Sequence, residues 1–60
     1  MYAEERRRQI APLTAVEGRV NVTELSERFE VTAETIRRDL AVLDREGVIH
    51  RVHGGAVASQ

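Results

Sequence analysis

Two short amphipathic segments, each starting directly after a helix-capping residue, constrain the fold of this sequence more than any other feature. Asn21 precedes the first segment and Thr32 precedes the second. Either side chain can accept a hydrogen bond from a backbone N–H group that a helix N-terminus leaves unpaired. Because the two caps lie close together in the chain, the pattern predicts two helices joined by a tight turn.

The first of these helices is predicted over residues 22–29. Glu24 lies three residues after Asn21, which is the spacing of a capping box. The apolar residues at helical spacing are Val22, Leu25 and Phe29.

The second of these helices is predicted over residues 33–46, after the connection Glu30-Val31. Its apolar stripe is Ile36, Leu40 and Leu43. With this stripe directed inward, the residues that the first turns present to solvent are Thr32, Ala33, Glu34, Thr35, Arg37 and Arg38.

An N-terminal helix is predicted over residues 3–17, with acidic residues first and arginines after them. One face of this helix is expected to carry Arg6, Ile10, Leu13 and Glu17, with Ile10 and Leu13 as its anchors in the core. Pro12 removes one backbone hydrogen bond from this helix. Either the helix bends at Pro12, or it begins or ends nearby.

A β-hairpin is predicted near the C-terminus. The two short β-like runs are residues 48–52 and 56–58. Gly54-Gly55 lies between them and suits a tight turn. If these two glycines form the loop, Val57 faces Val52. His50 is expected to pack against a neighbouring strand.

Together these elements predict a mainly α fold with a small β wing, a winged helix-turn-helix of three helices and a C-terminal β-hairpin. A chain of 60 residues has room for one domain, over residues 1–60. The helix-turn-helix motif is expected at about 20–39 and the wing at about 48–58. Arg19-Val20 is predicted to form a very short strand that supports the hairpin.

Composition argues against several classes of protein. Without cysteine there is no disulfide or thiolate metal site, and His50 and His53 alone cannot make a structural zinc site. No apolar run approaches the roughly 20 residues of a membrane span, and the N-terminus does not have the pattern of a secretion signal. We therefore expect a cytoplasmic protein. No nucleophile with a base and no phosphate loop is recognisable, so neither an enzyme nor a cofactor is expected.

The net charge of −1 is unusual for a protein that binds nucleic acid, but its distribution is uneven. The acidic residues gather at Glu4, Glu5, Glu24, Glu27 and Glu30. The basic residues gather at Arg6-Arg7-Arg8 and Arg37-Arg38. All nine cations are arginine, whose planar fork suits guanine edges and phosphates.

A polar second helix held by the first can enter the major groove of DNA, which is about 12 Å wide. Arg37 and Arg38 can then contact phosphate or guanine, and the threonines can contact phosphates or thymine methyl groups. Glu34 can accept a hydrogen bond from cytosine or only stabilise the helix N-terminus. Adjacent arginines also occur on ordinary solvated helices, but the turn-linked pair of helices favours DNA binding.

Four other charged residues have alternative interpretations. Arg6, Arg7 and Arg8 can touch phosphate, but a solvated helix end with one arginine near the DNA backbone is favoured. Asp39 is interpreted as structural and paired with a nearby arginine or an amide, because a carboxylate facing phosphates would repel them.

The segment ELSERFEVTAETIRRDL, followed by GVIHRVHGGA, resembles the DeoR family of bacterial transcription regulators. The resemblance extends from Arg6 to Ala56, and the strings TIRRDL and HGGA carry it most specifically. Pro12 departs from the usual family pattern, which affects the expected shape of the first helix.

This resemblance implies a repressor of sugar or nucleoside catabolic genes that binds double-stranded DNA. It implies a recognition-helix role for Thr32, Glu34, Thr35, Arg37 and Arg38. It also implies a wing role for Arg51, His53, Gly54 and Gly55. His53 can reach phosphate or the minor groove, or can be a turn residue with no role. Family members carry a C-terminal domain that senses a sugar phosphate and form homo-oligomers; this sequence is expected to lack that domain.

A second function is a winged-helix module that binds another protein without sequence-specific DNA binding. The acidic first helix of the turn-linked pair and the negative net charge favour it. Single-stranded DNA or RNA is not favoured, because one tyrosine and one phenylalanine do not make a stacking surface.

Overall fold

The computed structural model describes residues 1–59, which form three helices and a three-stranded sheet. In chain order the elements are α1 (Ala3–Glu17), β1 (Arg19–Asn21), α2 (Val22–Phe29), α3 (Ala33–Arg45), β2 (Ile49–Val52) and β3 (Gly55–Ala58). The predicted fold class is confirmed. Each helix lies within one residue of its predicted bounds, because caps and apolar stripes are local signals.

Both predicted N-caps are present. The side-chain oxygen of Asn21 accepts a hydrogen bond from the N–H of Glu24 at 2.7 Å. The hydroxyl of Thr32 accepts one from the N–H of Thr35 at 3.1 Å. Glu30 ends α2 in the left-handed conformation, with φ 57°, and so reverses the chain between the two helices.

The inner face of α1 differs from the prediction. Arg6, Ile10 and Thr14 are buried, whereas Leu13 is half-buried and Glu17 is exposed. Thr14 enters the core because its hydroxyl donates to the carbonyl of Ile10 at 2.8 Å, which satisfies the polar group.

Pro12 does not end α1, which is continuous from Ala3 to Glu17. Pro12 and Arg8 both lie on the exposed side of the helix. Water is therefore available to the Arg8 carbonyl that Pro12 leaves without a backbone donor.

The sheet is antiparallel, with β3 between β1 and β2. The predicted turn is wrong by one residue: Val52 pairs with Gly55, so His53 and Gly54 form the loop. As a consequence Val57 lies opposite His50, not Val52, and His50 is exposed rather than packed.

The contact between β3 and β1 explains this register. A Cβ atom on Gly55 would lie 2.1 Å from the carbonyl oxygen of Val20, so only glycine allows the two backbones to approach this closely. Gly54 has φ 76°, which suits its position in the turn.

One apolar core lies between the three helices and the sheet. Its buried members are Ile10, Val20, Val22, Leu25, Ile36, Leu40, Leu43, Ile49 and Ala56. The predicted stripe of α3 is therefore confirmed in full. In α2, Val22 and Leu25 are buried, and Phe29 is half-buried against the same core.

Thr32→Ala should lower the free energy of unfolding by about 1 kcal/mol, because it removes the side-chain cap of α3. Urea denaturation followed by circular dichroism measures this change. Thr23→Ala is the matched control, since Thr23 is exposed in α2 and its side chain has no hydrogen bond within residues 1–59. Equal losses for the two variants would contradict the assignment of Thr32 as a cap.

Candidate nucleic-acid interface

The structure holds α3 by its apolar side and leaves its polar side open. Ile36 and Leu40 are at most 1% exposed. In contrast, the side chains of Arg37 and Arg38 are 55% and 78% exposed. The arginine pair is therefore presented to solvent by a helix whose opposite face is fixed in the core.

A buried ion pair ties α3 to α1. Both the Nε and an Nη atom of Arg6 donate to the carboxylate of Asp39, the Nη at 3.2 Å. Arg7 approaches the same carboxylate at 3.4 Å. The hydrogen bond and charge of Asp39 raise the pKa of Arg6 above its ordinary value, although burial opposes this, so the guanidinium stays charged.

This pair confirms the structural interpretation of Asp39. It also corrects the interpretation of Arg6-Arg7-Arg8 as a solvated helix end. Arg6 is 6% exposed and lies in the protein interior, not at a solvated helix end. Only Arg8 fits that description; its guanidinium lies 3.3 Å from Glu4, and both side chains are 74% exposed. Arg6 can be buried because Asp39 neutralises its charge. The two residues are far apart in the chain, so the local pattern does not indicate this pair.

Glu34 stands between the two exposed arginines. Its carboxylate oxygens lie 3.9 Å from Arg37 and 3.8 Å from Arg38. All three side chains are more than half exposed, so these contacts contribute little to stability. They do place a negative charge between the two exposed arginines.

A groove separates α3 from the β2–β3 hairpin. Arg37 lines it on the helix side, and Arg51 and His53 line it on the hairpin side, above Val22 and Leu40. Arg38 does not line this groove. Within residues 1–59, Arg51 has no carboxylate within ion-pair distance, so positive charge from two separate elements meets in the groove.

The remaining predicted site residues lie around the same surface. Thr32 is exposed at the N-terminus of α3, and Thr35 is half-buried one turn later. Gly54 is exposed at the hairpin turn. Gly55 is buried against β1, a position that the sequence pattern did not indicate.

The acidic residues of and next to α2, which are Glu24, Glu27 and Glu30, are also exposed. Within residues 1–59, no three acidic or imidazole groups are close enough to hold a metal ion, and no helix has the length and hydropathy needed to cross a membrane.

Three helices with a tight α2–α3 turn, followed by a hairpin that flanks the exposed face of α3, define a winged helix-turn-helix. The sequence model of one protein family, the DeoR-like helix-turn-helix domain, matches residues 6–60. The chain belongs to this family.

Relatives from several bacteria are similar over most of the chain. The HTH-type transcriptional regulator YulB of Bacillus subtilis is 45% identical over 60 residues, 100% of this chain and 23% of that protein. The lactose phosphotransferase system repressor of Streptococcus mutans is 46% identical over 56 residues, 93% of this chain and 22% of that protein. The L-fucose operon activator of Haemophilus influenzae is 46% identical over 44 residues, 73% of this chain and 18% of that protein.

The chain thus spans less than a quarter of the length of these relatives. No solved structure matches it significantly.

Proposed function

We propose that this chain binds double-stranded DNA sequence-specifically, as the reading domain of a DeoR-type transcription regulator. One observation carries the proposal: the capped, arginine-bearing N-terminal half of α3 is exposed beside a hairpin that adds a further cation. A helix presented in this way enters the major groove with its N-terminal residues toward the base edges.

Each site residue has a role in this complex. Thr32 and Thr35 contact phosphates or thymine methyl groups near the N-terminus of α3, and Arg37 and Arg38 contact phosphate or guanine. Glu34 lies within 4 Å of both guanidinium groups in the free protein and can accept a hydrogen bond from cytosine.

The wing residues act beside the recognition helix. Arg51 and His53 contact the DNA backbone or minor groove, and Gly54 lets the hairpin tip approach closely. Gly55 allows β1 to pack against β3 and so sets the position of the wing. The proposed activity is binding without catalysis, and no cofactor takes part.

For the whole protein we propose a cytoplasmic repressor of genes for sugar or related carbon catabolism. Relatives named as a lactose phosphotransferase system repressor and as a putative aga operon repressor support this class. Another relative is named an L-fucose operon activator, so the relatives include an activator as well as repressors. We propose a further C-terminal domain that binds a sugar phosphate and joins the protein into a homo-oligomer; the greater length of the relatives supports it.

A titration tests DNA binding directly. The chain is titrated into fluorescent duplex DNA from the region upstream of its own gene, and into a shuffled duplex, at several salt concentrations. We expect tighter binding to the native duplex, with a logarithmic salt slope of about −0.9 for each phosphate contacted.

A second candidate, a module that binds another protein, rests on the exposed acidic residues Glu24, Glu27 and Glu30. Equal and feeble binding to both duplexes, together with a protein partner whose affinity does not depend on salt, would favour this candidate over the DNA reader.

A further inference from the structure

We infer that the two adjacent arginines of α3 have different targets: Arg37 and Arg51 together hold one phosphate of the DNA backbone, whereas Arg38 reads a base edge. This inference rests on the proposed DNA-binding function. The inference extends that function by assigning one ligand, a backbone phosphate, to the groove between α3 and the wing.

Helix geometry separates the two arginines. Consecutive residues on an α-helix point about 100° apart, so neighbouring side chains cannot share a target easily. Arg37 is turned toward the wing and lines the groove. Arg38 lies outside the groove and is the more exposed of the two, at 78% against 55%.

The charges in the groove favour an anion. Arg37 comes from α3 and Arg51 from β2, and both line the same depression. The sole carboxylate near Arg37 within residues 1–59 is Glu34, at 3.9 Å, and Arg51 has none. Two cations that face one groove without full neutralisation leave a positive potential that attracts an anionic ligand.

The geometry of a duplex indicates which anion this is. When α3 occupies the major groove, a sugar–phosphate strand forms the wall beside it, and the wing lies on the far side of that wall. The strand must therefore pass between α3 and β2. A phosphodiester there meets the forked donors of two guanidinium groups, which suit phosphate oxygens. Arg38 is directed away from the wing and remains free to contact base edges at the floor of the DNA major groove.

Binding measurements on single-residue variants separate these roles. A duplex is first enriched from a random-sequence pool with the unaltered chain, and a shuffled duplex of the same composition serves for comparison. Arg37→Ala and Arg51→Ala should each weaken binding to the two duplexes by equal factors. Removing both arginines should reduce the salt slope by about one, which is the contribution of a single phosphate. Arg38→Ala should reduce the preference for the enriched duplex by about 5- to 150-fold.

Neutral phosphate analogues test whether the two arginines share a target. Each phosphate of the enriched duplex is replaced in turn by an uncharged methylphosphonate. We expect one position at which replacement weakens binding of the unaltered chain but not of the Arg37→Ala/Arg51→Ala double variant. The Arg38→Ala variant should remain sensitive at that position.

Arg19→Ala is the matched charge control, because Arg19 is exposed and lies away from this groove, among Glu17, Glu24 and Arg28. It should leave the preference between duplexes and the methylphosphonate pattern unchanged. Thermal unfolding of every variant confirms that each is folded at the temperature of the titration.

The outcomes distinguish the inference from the function on which it rests. If the chain enriches no duplex, both are overturned. If it does enrich one, but Arg37→Ala lowers the preference as Arg38→Ala does, or the double variant keeps every phosphate sensitivity, only the shared phosphate is overturned.

Discussion

Asp39→Ala should lower the free energy of unfolding by about 3–5 kcal/mol, because it leaves the Arg6 guanidinium buried without its carboxylate. Arg6 and Asp39 are 6% and 1% exposed, so water cannot replace the lost partner. A domain of this size has a total stability of roughly 3–9 kcal/mol. We therefore expect much of the variant to be unfolded at room temperature, as urea titrations followed by circular dichroism would measure.

Two further variants define the origin of that loss. Asp44→Ala removes an acid from the same helix that has no ion pair within residues 1–59, and should change stability by less than about 0.5 kcal/mol. The double variant Arg6→Met/Asp39→Leu removes both buried charges together and should recover most of the stability. A loss below about 1 kcal/mol for Asp39→Ala would contradict the assignment of the pair as the buried link between α1 and α3.

Gly55→Ala should lower the free energy of unfolding by about 2 kcal/mol or more, because overpacking against backbone atoms cannot be relieved by a side-chain rotation. The new methyl group would lie 2.1 Å from the Val20 oxygen and 3.0 Å from the Asn21 Cα. Strands β1 and β3 would have to separate. The hydrogen bond from the Val22 N–H to the Gly54 carbonyl, 2.8 Å long, lies next to this contact and should weaken.

The neighbouring glycine supplies the control for this second prediction. A Cβ on Gly54 meets no atom within 4 Å, so Gly54→Ala carries only the cost of its φ of 76°, about 1–2 kcal/mol. Urea denaturation gives the total loss, and hydrogen exchange shows whether the β1 and β3 amides lose protection. Gly55→Ala should be the more damaging of the two, and the reverse order would contradict the close approach of β1.

The two glycines also show where a local pattern stops being sufficient. Gly54-Gly55 predicts a turn but does not indicate which residues form its loop. The predicted loop of Gly54 and Gly55 is wrong by one residue, since His53 and Gly54 form it. The register depends on β1, which precedes β3 by more than thirty residues. A turn signal contains no information about a strand that arrives from so far away in the chain.

The first helix shows the same limit for burial. Its length was predicted, because helical periodicity and charge order are local. Its buried face is predicted only in part: Ile10 is buried as expected, but the burial of Thr14 and Arg6 is not expected, because both are polar and their partners do not follow from periodicity. For Thr14 the partner is the carbonyl of Ile10 on the same helix. For Arg6 it is Asp39, on another helix.

The sequence by itself determined the three helices, the N-caps of α2 and α3, the apolar stripe of α3 and the family of the chain, because each depends on neighbouring residues or on short strings. Tertiary structure alone decided that Arg6 is the partner of Asp39, that Gly55 lies against β1, and that Arg37 and Arg51 face one groove. These features join residues far apart in the chain. Their energies depend on distance in space, which a one-dimensional pattern does not contain.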